Sequence, residues 1–162
     1  MNIEAESLEP RHLPILRNWT GRTAGALTPN DFPQNAAEVA QWFELLAAES
    51  GRMDCLVSVY DTPVGIAGLR LNKKAADRAE LYLLLCEVGY NLLRTATYAT
   101  LCMLDRAFQE CELRCVAADV NTEQREYLAA LERMGFCIIR ENRRTITVEV
   151  QKEMYLNKRF LF

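Results

Sequence analysis

The stretch that most constrains the fold runs from residue 78 to residue 120. "RAELYLLL" (78–85) reads as a strand that is apolar on both faces toward its end, the pattern of a central strand covered from both sides. A helical pattern follows over about 95–110, and "LRCVAADV" (113–120) is a second strand. Two strands joined through a helix lie parallel in one sheet with a right-handed crossover. Upstream, "MDCLVSVY" (53–60) and "VGIAGLRL" (64–71) are strands separated by "DTP", which reads as a hairpin. Consecutive strands with short turns pair antiparallel, so a single parallel contact interrupts an otherwise antiparallel sheet.

The flanking patterns complete the order. "NIEAESLE" (2–9) is a strand with one wet face, and "HLPILRNW" is a short helix burying Leu13, Leu16 and Trp19. "NAAEVAQWFELLAAES" (35–50) is a helix with Asn35 as cap, Glu38 three residues on, and Val39, Trp42, Phe43 and Leu46 as its apolar stripe; Gly51 ends it. "NTEQREYLAALERMGF" (121–136) is a helix with Asn121 as N-cap, Gln124 at the third position and Gly135 as its left-handed terminator. Two further strands are expected around 137–143 and 145–156. The expected fold is a single α/β domain of the α+β type over 1–162: a mixed, mostly antiparallel sheet of six to seven strands flanked by about four helices.

Charge and composition narrow the partners. The net charge is −3, and the only dense basic run, "RENRR" (140–144), is short enough to be a solvated turn, so no nucleic-acid partner is expected. No apolar run approaches the ~20 residues that span a bilayer, and the N-terminus lacks a basic then apolar signal segment. A soluble, cytoplasmic protein with no membrane partner is expected, its six cysteines reduced. Cys111 and Cys115 have no histidine near them and no Cys-x-x-Cys pair occurs, so no metal site is expected; the only histidine, His12, is expected to be exposed and is given no role. The loop 20–35, with two Gly and two Pro, is long for a domain of this size, and such loops are often functional.

The turn "NLLRTA" (91–96) sits where a strand runs into a helix N-terminus, a place where many proteins hold phosphate. Such loops usually carry glycines and this one has none. The residues leave two readings open, a phosphate cradle without its glycine or a plain connection.

Three stretches, "YDTPVGIAGLRL", "ELYLLLCEVGYNLLRTATYATLCMLDRAF" and "VNTEQREYLAALERMGF", together resemble the GNAT acetyltransferase superfamily over roughly 53–136. The overall look is closest to the branch of ribosomal-protein N-terminal and amino-sugar acetyltransferases. The family's loop, Gln/Arg-x-x-Gly-x-Gly/Ala, falls on Asn91 to Ala96. Asn91 is a polar stand-in for the first position, Ala96 matches the last, and Arg94 replaces the first glycine; by the resemblance Asn91, Arg94, Thr95 and Ala96 would bind the coenzyme's pyrophosphate. Arginine brings a Cβ that limits close backbone approach and a cation that reaches phosphate.

The resemblance implies acetyl-CoA as cosubstrate and a splay between strands 80–85 and 113–120. In that splay the backbone of Leu83, Leu84 and Leu85 would pair with the pantetheine arm, and one N–H would steady the thioester oxygen. Asn121 or Gln124 would meet the same arm, with capping as the equal alternative. A neutral amine would attack directly, with Glu80 or Glu87 as base. The family's tyrosine, four residues before the closing glycine, is Leu131 here, which leaves Tyr127 as the nearest substitute acid. Arg22, Asp31 and Phe32 would contact the acceptor. The implied function is an N-acetyltransferase acting on a primary amine of a small molecule, an amino sugar or a protein N-terminus, with a homodimer left open. The alternative is a non-catalytic domain of the same fold that has lost efficient coenzyme A binding and serves as an interaction module.

Overall fold

The computed structural model describes residues 2–22, 25–87 and 91–162. In chain order its elements are β1 (Ile3–Ser7), α1 (Leu13–Trp19), β2 (Gly25–Ala26), α2 (Val39–Ala48), β3 (Arg52–Val59), β4 (Thr62–Asn72) and β5 (Ala75–Leu85). They continue with α3 (Leu92–Gln109), β6 (Cys115–Asn121), α4 (Arg125–Arg133), β7 (Cys137–Glu141), β8 (Thr145–Gln151) and α5 (Lys152–Lys158). The sheet order is β1-β3-β4-β5-β6-β8-β7, with β2 paired to β5 off that path. Every pairing is antiparallel except β5 with β6. The mixed, mostly antiparallel architecture is the expected one.

Both faces of β5 are covered, which is why its sequence does not alternate. Ala79, Leu81, Leu83 and Leu85 enter the larger core with Ala96, Leu104 and Phe108 of α3, while Leu84 packs with Leu16, Trp19, Trp42 and Leu46 of α1 and α2. Strand β3 turns into β4 through Tyr60 and Asp61, both in the left-handed region (φ 47° and 68°), which gives the two-residue hairpin a type I′ twist.

Four expectations need correction. Strand β8 ends at Gln151, and a fifth helix follows where a strand to 156 is expected. Tyr155 decides this: it is fully buried, tilted against Phe108 at 5.3 Å, and its hydroxyl donates to Asp105 Oδ1 at 2.7 Å. Helix α3 begins at Leu92 rather than Thr95, because the Asn91 side chain accepts the Arg94 N–H at 2.9 Å and caps the helix. Helix α4 begins at Arg125, headed by Gln124 without a side-chain cap, and Asn121 closes β6. His12 is buried at 3% exposure, its Nδ1 accepting the Glu9 N–H at 3.0 Å. Among the described residues no helix is long and apolar enough to cross a membrane.

Candidate active site

Strand β6 pairs with β5 only where Arg78–Glu80 face Cys115–Ala117, and then leaves it. Strand β4 stays with β5 as far as Leu85, and β8 stays with β6 as far as Asn121, so the sheet divides between β5 and β6. The Cys86 N–H donates to Val64 O at 2.7 Å. Ladder alternation then turns the backbone groups of Leu84 toward β4, and those of Leu83 and Leu85 toward the gap. Leu84 is therefore not a backbone partner for anything lying between the strands, contrary to expectation.

The gap is one extended chain wide, and residues 25–28 lie in it. Gly25 and Ala26 pair antiparallel with Leu85 and Leu84. The Leu83 N–H donates to Thr28 Oγ1 at 3.0 Å. On the opposite rim the Asn121 N–H donates to Leu27 O at 3.1 Å, while the Leu27 side chain is buried in the larger core.

On the α1/α2 side a pocket of about 370 Å³ opens beside the divergence, large enough for a small ligand. Glu80, Tyr82, Asp119, Thr28 and Asp31 are among its lining residues. Glu80 lies at the last β5–β6 pair, is exposed, and has no hydrogen bond or ion pair among the described residues. Its cross-strand neighbour Arg70 turns instead to Glu49, at 2.7 Å. Asp119 accepts from Thr147 Oγ1 at 2.5 Å.

The pocket wall is a fixed polar network. Arg52 grips Asp54 with two nitrogens, at 3.2 and 3.0 Å, and Glu49 with the third, at 3.0 Å. Tyr82 crosses β4 over Gly68, donates to Asp54 Oδ1 at 2.6 Å and lies under the Arg52 guanidinium, 5.8 Å from its ring centre. Burial and the Asp54 carboxylate push the Tyr82 phenol well above its ordinary range, so it stays a donor. With both arginines paired, Glu80, Asp119 and Asp31 give the pocket an acidic lining. Sequence reading missed Thr28, Asp54, Tyr82 and Asp119. Asp119 carried a signal, an acid within an apolar strand on the same face as Glu80; Thr28 carried none.

The remaining expected residues fall elsewhere. Glu87 is pinned, accepting from Trp19 Nε1 at 2.8 Å and Arg22 Nη1 at 3.3 Å, so Arg22 and Glu87 anchor α1 to the end of β5. Phe32 is a packing residue, buried edge-on against Trp42 with centroids 5.1 Å apart; Asp31 does line the pocket and accepts from Trp42 Nε1 at 3.4 Å. Tyr127 is 2% exposed between α3 and α4. Its hydroxyl lies 2.8 Å from Thr100 Oγ1, whose own proton goes to Ala96 O, so the phenol donates into the core. Burial pushes it up to about 12, so the phenol stays protonated at neutral pH.

At the N-terminus of α3, Arg94 is in the first helical turn with its guanidinium 5.9 Å over Tyr98, and it is not among the residues with positive φ. The missing glycine therefore costs no backbone strain here. Thr95 and Ala96 are buried in the same turn, and Gln124, half-buried, heads α4 without a side-chain cap. Residues 88–90, the start of this connection, lie outside the described residues.

The sequence matches the family model for the acetyltransferase (GNAT) domain over residues 5–137. No curated protein matches it. Among solved structures, a mutant form of the spermidine N-acetyltransferase SpeG from Vibrio cholerae superposes with a TM-score of 0.78 at 14% identity, covering 97% of this chain and 98% of that one. The Campylobacter jejuni N-acetyltransferase PseH, in complex with acetyl coenzyme A, superposes with a TM-score of 0.69 at 14% identity, covering 93% of this chain and 99% of that one.

Proposed function

This chain belongs to the GNAT acetyltransferase family, and from that premise we propose that it transfers an acetyl group from acetyl-CoA to a primary amine held beside Glu80. The observation that carries the reading is the departure of β6 from β5 immediately after Glu80, which aims the Leu83 N–H into a slot one strand wide. When bound, acetyl-CoA supplies an activated thioester carbonyl.

Each remaining role falls to the chain. The backbone groups of Leu83 and Leu85 hold an extended amide-bearing arm along β5, and the Leu83 N–H faces the oxygen on which charge develops. The N–H groups of Leu92 and Leu93, which have no partner among the described residues, together with the positive end of α3 and the Arg94 cation, favour a diphosphate there. Glu80, unpartnered and facing the pocket, takes the proton from the incoming ammonium. Glu87 is committed to Trp19 and Arg22 and positions α1. With Tyr127 donating into the core, the departing thiolate, of ordinary pKa ~8.5, leaves and takes its proton from water. The acidic lining suits a positively charged amine, as a small molecule, an amino sugar or a protein N-terminus presents. A reaction that consumes acetyl-CoA suits the cytoplasm, as do six free thiols.

Glu80→Gln tests the reading. It should lower kcat on an accepted amine by about 10²–10⁴-fold while leaving the acetyl-CoA dissociation constant unchanged. An unchanged kcat would remove Glu80 as base.

One observation favours a second reading, a non-catalytic module: residues 25–28 sit in the slot. Thermal unfolding separates the two. Acetyl-CoA at a hundredfold excess over its dissociation constant should add about 2.7 kcal/mol to the stability of the enzyme, and nothing to that of the module.

A further inference from the structure

We infer that residues 25–28 are a strap that stands in for the acyl-CoA arm, and that the arm, on binding, displaces it and so shifts one wall of the acceptor pocket. The inference rests on the acetyl-transfer reading above and adds to it a coupling between the two ligands.

The exclusion is steric. The slot between β5 and β6 is bridged by a single segment that is hydrogen-bonded to both rims, Leu83 N–H to Thr28 Oγ1 at 3.0 Å and Asn121 N–H to Leu27 O at 3.1 Å. Two chains do not fit where one fills the width. The substitution is also chemical. A backbone N–H that faces a dry gap needs an acceptor. Thr28, itself 2% exposed, offers a hydroxyl oxygen to the N–H that the reading assigns to the thioester oxygen.

The strap is held lightly enough to leave. It has a two-residue ladder, a Thr28 hydroxyl that accepts from Leu83 N–H at 3.0 Å and donates to Leu83 O at a long 3.5 Å, and one backbone bond to β6. It hangs between two fixed points. Upstream, Arg22 is paired with Glu87 at 3.3 Å. Downstream, the Phe32 N–H is bound to Asn30 Oδ1 at 3.0 Å, and the Phe32 ring is locked against Trp42. The chain between these points includes Thr28 and Asp31, both of which line the acceptor pocket. Whatever draws Thr28 from Leu83 therefore moves the pocket wall.

Thr28→Val keeps the side-chain shape and removes the acceptor, which leaves the Leu83 N–H unpaired in the strapped form alone. Since apparent affinity is intrinsic affinity scaled by the open fraction, the variant should bind acetyl-CoA about tenfold more tightly by calorimetry. Thr28→Ser, which retains the hydroxyl, should bind like the wild type. Hydrogen exchange on the wild type gives an independent readout. Acetyl-CoA should speed exchange of the 25–28 amides while Leu83 stays protected. That readout decides the matter alone should Thr28→Val not fold. Equal affinity in all three proteins with unchanged exchange at 25–28 would overturn the strap and leave acetyl transfer standing. No binding by any of them would overturn the acetyl-CoA reading and the strap with it.

Discussion

At the scale of the residue, conformation is decided by what a side chain can reach. Tyr60 and Asp61 both take left-handed backbone angles that favour glycine and asparagine, and Tyr60 is 64% exposed, so it contributes little packing in return. Replacing the pair with Asn-Gly should stabilise the protein by about 1 kcal/mol, raising Tm by about 2–4 °C, as thermal denaturation will measure. The hairpin itself was readable from "DTP" between two apolar runs; that its turn would tolerate two ordinary residues was not. Gly135, read as a helix terminator, has a φ of +108°, because the need for a left-handed residue is local and local patterns disclose it. His12 was misread for the opposite reason. Its burial comes from a turn that closes on Glu9 and from the packing of the whole edge, neither of which spacing reveals.

At the scale of the element, joints carry the stability. Glu49, just past the end of α2, ties that helix to β3 and β4 through Arg52 and Arg70. The hydrogen bonds from Arg52 and then Arg70 hold its carboxyl below the usual carboxylate range. A folded pKa below the unfolded value gives stability that is complete at neutral pH and fades as pH falls through the folded pKa. Glu49→Gln should therefore unfold at lower urea concentration than the wild type at pH 7, and the difference should shrink toward zero as acid protonates the carboxylate. Strands β3, β4 and β5 were legible almost to their ends, since continuous apolar runs between turn signals admit little else. Helix α5 was not. Alternation in "TITVEVQ" runs on convincingly toward Tyr155, and only the distant Asp105 and Phe108 make that ring's buried place helical. The cap of α4 failed similarly: Asn121 has the right chemistry, but β6 claims it.

At the scale of the whole molecule, the parallel crossover was foreseeable, because a strand, a helix and a strand at that spacing allow few arrangements; the divergence that follows it was expected from the family resemblance alone. The strap was not foreseeable. Thr28 meets Leu83 across 55 residues, and no periodicity encodes that meeting. The same global packing sorts the cysteines. Cys111 and Cys137 are exposed, whereas Cys55 and Cys86 are buried; burial pushes Cys55 up to about 11 and Cys86 up to about 12, and raises Cys111 as well. A thiol reagent at neutral pH should label Cys111 and Cys137 in the native protein within minutes, and Cys55 and Cys86 only after denaturant is added, as mass spectrometry of the labelled peptides will report.

A split within a sheet leaves two raw strand borders, and raw borders adhere to foreign chains. Here they lie mid-sheet, along Leu83 and Leu85 on one bank and beyond Ala117 on the other. The segment bonded to both banks covers them, so a variant that frees it should present two adhesive borders where the folded chain now shows none.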